Sequence, residues 1–159
     1  MSQATLEVRN LQTHFFTRAG VAKAVEGVSL TVAPGQILGL VGESGSGKSV
    51  TGFSILGLVD SPGRGVGGQI RFNGKKLIGL PEEQMRRIRG NRMAMVFQDP
   101  MMTLNPVLRI DTQMIEAILA HKQVGRKVAR QQARDVLGQV GIPSPDERLQ
   151  AYPPQFSGG

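Results

Sequence analysis

A glycine-rich segment at residues 42–49 constrains the fold of this chain more than any other part of the sequence. Its residues, Gly-Glu-Ser-Gly-Ser-Gly-Lys-Ser, match the P-loop pattern G-x-x-x-x-G-K-[ST] at every fixed position. The apolar run at residues 36–41 precedes it and predicts a buried strand, and residues 50–58 follow it and predict the start of a helix. Because glycines let backbone N–H groups converge on an anion, this strand, turn and helix N-terminus predict a phosphate cradle.

The motif gives its residues distinct roles in holding a nucleotide. The Lys48 ammonium is expected to reach the β- and γ-phosphates, and the Ser49 hydroxyl is expected to bind Mg²⁺. The helix N-terminus adds unpaired N–H donors and a partial positive charge. The predicted nucleotide-binding residues of this segment are Gly42, Glu43, Ser44, Gly45, Ser46, Gly47, Lys48, Ser49 and Val50.

The composition excludes several classes of protein. With 40% hydrophobic residues the 159-residue chain is globular, and it contains no apolar run near the ~20 residues that a membrane span requires. The absence of cysteine removes disulfides and thiolate metal sites. The net charge is +7, but only 4% of residues are aromatic and no nucleic-acid-binding motif is present, so specific nucleic-acid binding is not expected. The excess charge favours a solvated surface or attraction to nucleotides and acidic lipid head groups.

The residues around the P-loop predict further strands and a helix. Residues 5–32 alternate apolar and polar side chains and predict strands. Residues 69–77 predict a hairpin whose Asn-Gly pair forms a type I′ turn. Pro81 predicts the first position of a helix that ends at about Arg89, and the apolar run at residues 93–97 predicts a second buried strand.

The predicted secondary structure changes from mixed strands and helices to helices alone after Pro100. Apolar residues then recur at helical spacing and predict helices over residues 110–121 and 126–140. The sequence therefore predicts an α/β fold with an N-terminal antiparallel β subdomain and a partial parallel-sheet core that carries the P-loop. We expect this part to occupy residues 1–99 and an α-helical subdomain to occupy residues 100–159.

A second motif resembles a feature of one known family, the ATP-binding subunits of ATP-binding-cassette (ABC) transporters. Residues 95–100, Met-Val-Phe-Gln-Asp-Pro, are similar to the family's Q-loop and lie at the expected distance after the P-loop. The resemblance implies that Gln98 touches Mg²⁺ and the attacking water and senses the transmembrane partner. A neutral amide suits this role because it both donates and accepts hydrogen bonds.

Two more segments fit the same family. The final residues Phe-Ser-Gly-Gly resemble the start of its signature motif, which implies that Ser157, Gly158 and Gly159 grip the γ-phosphate of the ATP bound by the opposite subunit. The family also places an aromatic residue upstream to stack on adenine. Phe15 is the predicted stacking residue and Phe16 is the alternative, and both also fit the core of a strand.

The resemblance narrows to the oligopeptide, dipeptide and nickel importer subfamily, through the run Phe-Gln-Asp-Pro-Met-Met-Thr-Leu-Asn-Pro at residues 97–106. Pro154 and Phe156 depart from the subfamily pattern, in which His and Leu are usual. The resemblance implies ATP and Mg²⁺ as ligands and a second ATP-binding subunit, identical or paralogous, together with transmembrane permease subunits as partners. It implies a peripheral position on the cytoplasmic face of the inner membrane, where ATP hydrolysis drives import.

The chain is expected to be an N-terminal fragment that ends inside the signature motif. It lacks the Walker B carboxylates and the switch His of the family, so we expect ATP binding to be weak and hydrolysis near background. We also expect low solubility, because the absent strands would leave a sheet edge exposed. Two alternatives stay open from the sequence: a nucleotide-binding interaction module that competes with full-length subunits, and another P-loop enzyme such as a kinase or GTPase.

Overall fold

The computed structural model describes residues 4–97 and 103–156. The chain divides after Arg89 into two compact units, residues 1–89 and residues 90–159. Among the described residues, the first unit holds a sheet and two helices, and the second holds three α-helices and a short 3-10 helix. In chain order the elements are β1 (Leu6–Thr17), β2 (Gly20–Val32), α1 (Lys48–Leu56), β3 (Gly63–Phe72), β4 (Lys75–Lys76), α2 (Glu82–Ile88), α3 (Ile110–Leu119), α4 (Arg126–Gln139), α5 (Pro145–Gln150) and the 3-10 helix (Pro153–Gln155). The assignment of residues 1–99 to a catalytic core and 100–159 to a helical subdomain remains a prediction.

The first unit is built on an antiparallel sheet with the strand order β2-β1-β3-β4. β1 lies at its centre and pairs with β2 on one side and with β3 on the other. The predicted alternation holds on either side of a bulge at Asn10, whose φ is +47°, so the most buried residues Val8 and Leu11, each 1% exposed, lie three positions apart. Ile70 of β3 and Val25 of β2 complete this apolar face.

The predicted hairpin at residues 69–77 is confirmed. Asn73 and Gly74 have φ angles of +46° and +77°, which a type I′ turn requires at both central positions. β4 pairs with Arg71 and Phe72 immediately after the turn. The helix predicted at Pro81 also forms, with Pro81 standing just before its first residue.

A glycine in β3 sets the irregular register of the sheet. The pairing of β1 with β3 shifts between Arg9 and Gln12. Gly68, opposite this shift, has a φ of +95°, and a Cβ there would lie only 2.5 Å from the backbone oxygen of Asn10. Only glycine fits such an approach of two backbones, so Gly68 is fixed by the bulge rather than by a ligand.

The two predicted buried strands at residues 36–41 and 93–97 are wrong for this structure, because neither segment forms a strand. Ile37 is 97% exposed, Val41 95% and Val96 93%. A strand that is buried on both faces needs neighbouring strands to pair its backbone N–H and C=O groups. Within the described residues no strand pairs with either segment, so their apolar side chains remain exposed.

The second unit is helical over its described residues, as the sequence predicts. α4 places Ala129, Ala133 and Leu137 on its buried face at intervals of four residues. Ala133 and Leu137 pack with Ile110 of α3 and Leu149 of α5 in one core cluster. Leu149 is completely buried, so α5 is held by the same core that joins α3 and α4.

Candidate nucleotide-binding site

The P-loop forms a tight turn that leads directly into α1. Gly45 and Gly47 have φ angles of +81° and +87°, a region that side chains with a Cβ rarely adopt. The Ser46 N–H donates to the Glu43 carbonyl oxygen at 3.2 Å and closes the turn. Gly47 is the N-cap residue of α1, and it contributes no side-chain cap. The first-turn N–H groups, with no acidic residue beside them in that turn, are therefore suited to hold an anion.

Gly47 fixes the P-loop against the sheet. A Cβ at this position would collide with the carbonyl oxygen of Ala24 in β2. The Gly47 carbonyl in turn accepts hydrogen bonds from the backbone N–H and the Oγ1 of Thr51, at 2.8 and 2.9 Å. The loop is thus held by β2 on one side and by α1 on the other, so these two elements fix its backbone conformation.

The Lys48 side chain turns back into the loop. Its Nζ donates to the carbonyl oxygens of Gly42 at 2.7 Å and Glu43 at 2.6 Å, and it lies 3.2 Å from Ser46 Oγ. The ammonium group therefore sits beside the same backbone turn that presents the loop's N–H groups. A phosphate oxygen can replace a carbonyl oxygen as the acceptor for this ammonium, so the residues present fit a nucleotide phosphate.

The remaining P-loop residues lie in the turn and at the start of α1. Ser49 is exposed and Val50 is half-buried in the first turn of α1, and Ser44 is exposed in the turn before it. A hydroxyl at this position of the helix can reach a cation bound beside the phosphates. All nine predicted residues are contiguous in the structure, and their individual roles stay predictions.

Phe15 and Phe16 differ in their surroundings. Phe15 pairs with Ala22 of β2, two positions from Ala24, where the P-loop contacts that strand. Its ring is half-buried and lies over Gly63, where a Cβ would come within 2.6 Å of the ring. Phe16 is 37% exposed and has the Arg64 guanidinium 4.2 Å from its ring centroid. Phe15 therefore lies on the strand next to the P-loop contact, and its stacking on adenine stays a prediction.

A small ionic cluster lies on the same two strands. The Nε2 atom of His14 is 2.8 Å from the carboxylate of Glu26, and the Lys23 ammonium is 3.7 Å from it. The hydrogen bond from His14 is the main cause that lowers the pKa of Glu26, and the positive charge of Lys23 acts in the same direction. Glu26 therefore stays ionised, and its negative charge offsets the positive charge of Lys23 on this part of the surface.

Several predicted site residues lie outside the described residues. These are Gln98, Ser157, Gly158 and Gly159. The structure also adds a contact that sequence reasoning missed, the one between Gly47 and Ala24. A backbone carbonyl in a preceding strand leaves no residue signature, so no pattern in the sequence could have identified it.

The fold and the site together define a nucleotide-binding protein of the P-loop class. The family model described as ABC transporter matches residues 25–159. The chain belongs to the ABC transporter family. No helix of the described residues, 4–97 and 103–156, is long and apolar enough to cross a membrane.

Curated relatives carry names from peptide transport. The chain is 47% identical to the "Probable peptide ABC transporter ATP-binding protein y4tR" of Sinorhizobium fredii over 97% of its own length and 46% of that protein's. It is 45% identical to the "Dipeptide transport ATP-binding protein DppD" of Escherichia coli over 98% of its length and 48% of that protein's. It is 41% identical to the "Oligopeptide transport ATP-binding protein OppD" of Bacillus subtilis over 97% and 43%. The chain thus spans about half the length of the curated relatives it matches.

Solved structures confirm the fold. The ATP-binding cassette MJ0796, solved as a dimer in a post-hydrolysis state bound to ADP and Pi, superimposes with a TM-score of 0.80 at 20% identity. A second dimeric structure of MJ0796, described as a bacterial ABC transporter cassette, gives 0.80 at 21% identity. Each match covers 96% of this chain and 63% of the other. The predicted α/β fold of an ABC ATPase, with its antiparallel sheet and helices, is confirmed by this likeness.

Proposed function

We propose that this chain is part of the ATP-binding, energy-coupling subunit of an ABC importer for peptides or related small solutes. The observation that carries the proposal is the position of Lys48, whose ammonium lies inside a glycine turn at the N-terminus of α1. This arrangement binds the phosphates of a nucleotide in P-loop proteins. The names of the curated relatives support peptide transport as the process that ATP serves.

The P-loop residues 42–50 would hold the triphosphate, and Ser49 and Gln98 would hold the Mg²⁺ ion. When bound, Mg²⁺ neutralises charge on the β- and γ-phosphate oxygens. Lys48 would orient the γ-phosphate for hydrolysis, Gln98 would position the water, and Phe15 would stack on adenine. The geometry of Lys48 supports the first of these roles, and the others rest on the family resemblance.

The proposed partners are a second ATP-binding subunit and the transmembrane permease subunits. The dimeric state of MJ0796 supports the first partner, since Ser157, Gly158 and Gly159 would act on ATP bound by the opposite subunit. The subunit would lie peripherally on the cytoplasmic face of the inner membrane. ATP binding and hydrolysis would there drive the permease subunits.

We expect the 159-residue chain to hydrolyse ATP at a rate near background. The P-loop positions phosphate, but phosphoryl transfer to water also needs the water and the metal to be oriented by other groups. Within residues 4–97 and 103–156 no Asp or Glu directly follows a strand in the way that a Walker B pair does. A clear, Lys48-dependent turnover by the purified chain would contradict this expectation.

Nucleotide binding is tested by titrating the chain with a fluorescent ATP analogue in the presence of Mg²⁺. Lys48→Ala is expected to weaken binding by roughly tenfold or more, because a charge-assisted contact with phosphate is lost. Lys127→Ala is the matched control, since it removes an exposed lysine from α4 and should leave the affinity unchanged. Equal affinity in wild type and Lys48→Ala, or a preference for GTP over ATP, would contradict the proposal.

The metal role of Ser49 has its own readout. Ser49→Ala is expected to reduce the dependence of nucleotide affinity on Mg²⁺, since one of the two proposed metal-binding side chains is lost, while binding through Lys48 is retained. The importer role is tested separately with membrane vesicles. Vesicles that contain peptide-importer permease subunits should retain the chain, and vesicles without them should not. Equal retention by both would remove the support for a transport partner.

A further inference from the structure

The outer edge of β3, from Arg64 to Gln69, is open in the described part of the chain. β1 pairs with the inner edge of β3, whereas β4 pairs only with Arg71 and Phe72 at its far end. The middle of this edge, at Gly65 and Val66, is exposed. An exposed strand edge presents unpaired N–H and C=O groups to which another strand can add. We call residues 64–69 the β3 edge.

The register of the sheet shows which backbone groups point outward. The Phe16 N–H donates to the Pro62 carbonyl oxygen at 2.9 Å, which marks a hydrogen-bonded pair between the two strands. Hydrogen-bonded and non-hydrogen-bonded pairs alternate in an antiparallel ladder. The pair formed by Thr13 and Gly65 is therefore of the second kind, so the N–H and C=O of Gly65 point away from β1. These two groups are the centre of the open edge.

A cavity of about 500 Å³ lies beside the β3 edge, on the buried face of the sheet. Its lining is mainly apolar and includes Leu11, Ile70, Leu77 and Met85. Cavities of this volume receive apolar side chains and small ligands. The glycines of the edge contribute no side chains that would block entry from β3. A strand laid along this edge could thus place alternate side chains in the cavity.

The surface around the edge is positively charged. Residues 61–81 include four cationic side chains and no Asp or Glu, and Glu82, which lines the cavity, is paired with Arg89; the four cations are Arg64, Arg71, Lys75 and Lys76. Arg71 and Lys76 stand directly opposite each other on β3 and β4, where like charges repel, while Glu7 of β1, which binds Arg9, stands opposite Arg71 on its other side. Since Ile70 faces the core, Arg71 faces solvent, on the side of the sheet opposite the cavity. Glu7 offsets this repulsion only from the β1 side, so an anionic side chain beside Lys76 on the open side would reduce it further.

We propose that the β3 edge binds an extended segment of a partner protein in which acidic and apolar residues alternate. The segment would add a strand to the sheet through the outward backbone groups of Gly65. Its apolar side chains would enter the cavity, and its acidic side chains would face Arg64, Arg71 and Lys76. This strand-addition mode combines main-chain hydrogen bonds for affinity with side-chain pockets for selectivity.

The test measures fluorescence anisotropy of a labelled peptide of alternating Glu and Val, about eight residues long. The 159-residue chain is expected to bind it, and to bind more weakly as salt is added. Gly65→Pro removes the outward N–H and should weaken binding by roughly tenfold. Gly65→Ala keeps the N–H and has room for its Cβ, whose nearest neighbour would be 3.9 Å away, so it should bind like wild type.

Charge and backbone pairing have separate controls. Lys76→Glu should weaken binding severalfold, whereas Lys127→Glu in the second unit should not. A peptide N-methylated at alternate residues lacks the N–H groups that would pair with β3, so it tests backbone pairing on the wild-type chain. This test remains valid even if the Gly65→Pro variant does not fold. Equal binding of a Lys-Val peptide, of the N-methylated peptide, or of anionic lipid vesicles in place of the peptide would overturn the proposal. So would Gly65-dependent dimerisation of the chain with no peptide binding.

Discussion

Thr13 and Ser54 are joined by a hydrogen bond between side-chain oxygens 2.7 Å apart, although the residues are 41 positions apart in the chain. Ser54 Oγ also donates to the Val50 carbonyl oxygen at 2.7 Å. A hydroxyl has a single proton, so Thr13 must be the donor to Ser54. The chain of hydrogen bonds from Thr13 to Val50 thus links the centre of the sheet to the first turns of the P-loop helix.

Replacing Thr13 with Val tests this link. Thr13 is completely buried, and the substitution preserves its shape while it removes the donor. We expect the free energy of unfolding to fall by about 1–2 kcal/mol, which is typical of a lost buried hydrogen bond. Denaturant unfolding measures the change. Thr31→Val, at an exposed position of β2, is the control and should change stability by less than about 0.5 kcal/mol. Equal effects of the two substitutions would contradict the role of the hydrogen bond.

Gly47→Ala and Gly45→Ala separate backbone strain from steric collision. Both residues have positive φ, so each substitution should cost about 1–2 kcal/mol of stability from strain alone. Only Gly47→Ala also drives a Cβ into the Ala24 carbonyl, whereas the space around Gly45 is open. We therefore expect Gly47→Ala to destabilise the chain more. Thermal unfolding of the two variants measures the order, and the reverse order would show that the P-loop does not rest on β2 as described.

The ion pair of Glu82 and Arg89 should make stability depend on pH. Arg89 donates to both carboxylate oxygens of Glu82, at 2.7 and 2.8 Å, and its Nε donates to the Leu56 carbonyl oxygen at 2.7 Å. The hydrogen bond from Arg89 holds the pKa of Glu82 below its ordinary value of 4.5. A depressed pKa in the folded state contributes stability above 4.5, and this contribution disappears as the pH falls through the depressed pKa.

The corresponding measurement compares wild type with Glu82→Gln across a range of pH. Wild type should be the more stable at neutral pH, and the difference in unfolding midpoint should shrink in the acidic range below the ordinary pKa of a glutamate. Glu83→Gln provides the matched control, since Glu83 pairs with Arg87 where both side chains are 77% exposed. A difference for Glu82→Gln that is independent of pH would mean that the charge of Glu82 is not its source.

Leu149→Ala should destabilise the second unit. The Leu149 side chain is completely buried in the cluster with Ile110 and Leu137, so its truncation leaves a cavity. We expect a loss of about 2–5 kcal/mol for such a change. Val140→Ala serves as the control, because Val140 is 67% exposed and its truncation should be nearly neutral. Amide hydrogen exchange would measure the loss in α3, α4 and α5.

The sequence predicts those elements whose signal is local. Asn73 and Gly74 specify their turn because both adopt positive φ, and α4 is specified by the spacing of Ala129, Ala133 and Leu137. The strand predicted at residues 36–41 is wrong because apolar residues alone cannot tell whether neighbouring strands are present to pair with them. The P-loop motif can be recognised from the sequence because its residues are contiguous, and the nucleotide-binding roles of these residues stay predictions.

Contacts between distant parts of the chain escape such prediction. Nothing in the pattern around Thr13 or Ser54 indicates that their hydroxyls meet, and nothing near Gly47 indicates that Ala24 lies behind it. Whether Phe15 or Phe16 is better placed to stack on adenine depends in the same way on which face of β1 is nearer to the P-loop. Local periodicity predicts which side chains share a face of a strand, but it does not predict which other element packs against that face.

The hydrogen bonds from Lys48 to the carbonyls of Gly42 and Glu43 have a consequence for how a nucleotide is received. The ammonium bridges these two carbonyl oxygens and so holds the turn closed from within. Because these hydrogen bonds already order the Lys48 side chain and the turn, binding of a phosphate would cost less conformational entropy here than at a disordered loop. The affinity for a nucleotide would then depend on competition between the loop carbonyl oxygens and the phosphate oxygens for the Lys48 ammonium. Substitutions that loosen this turn should therefore weaken nucleotide binding even when the substituted residue does not contact the nucleotide.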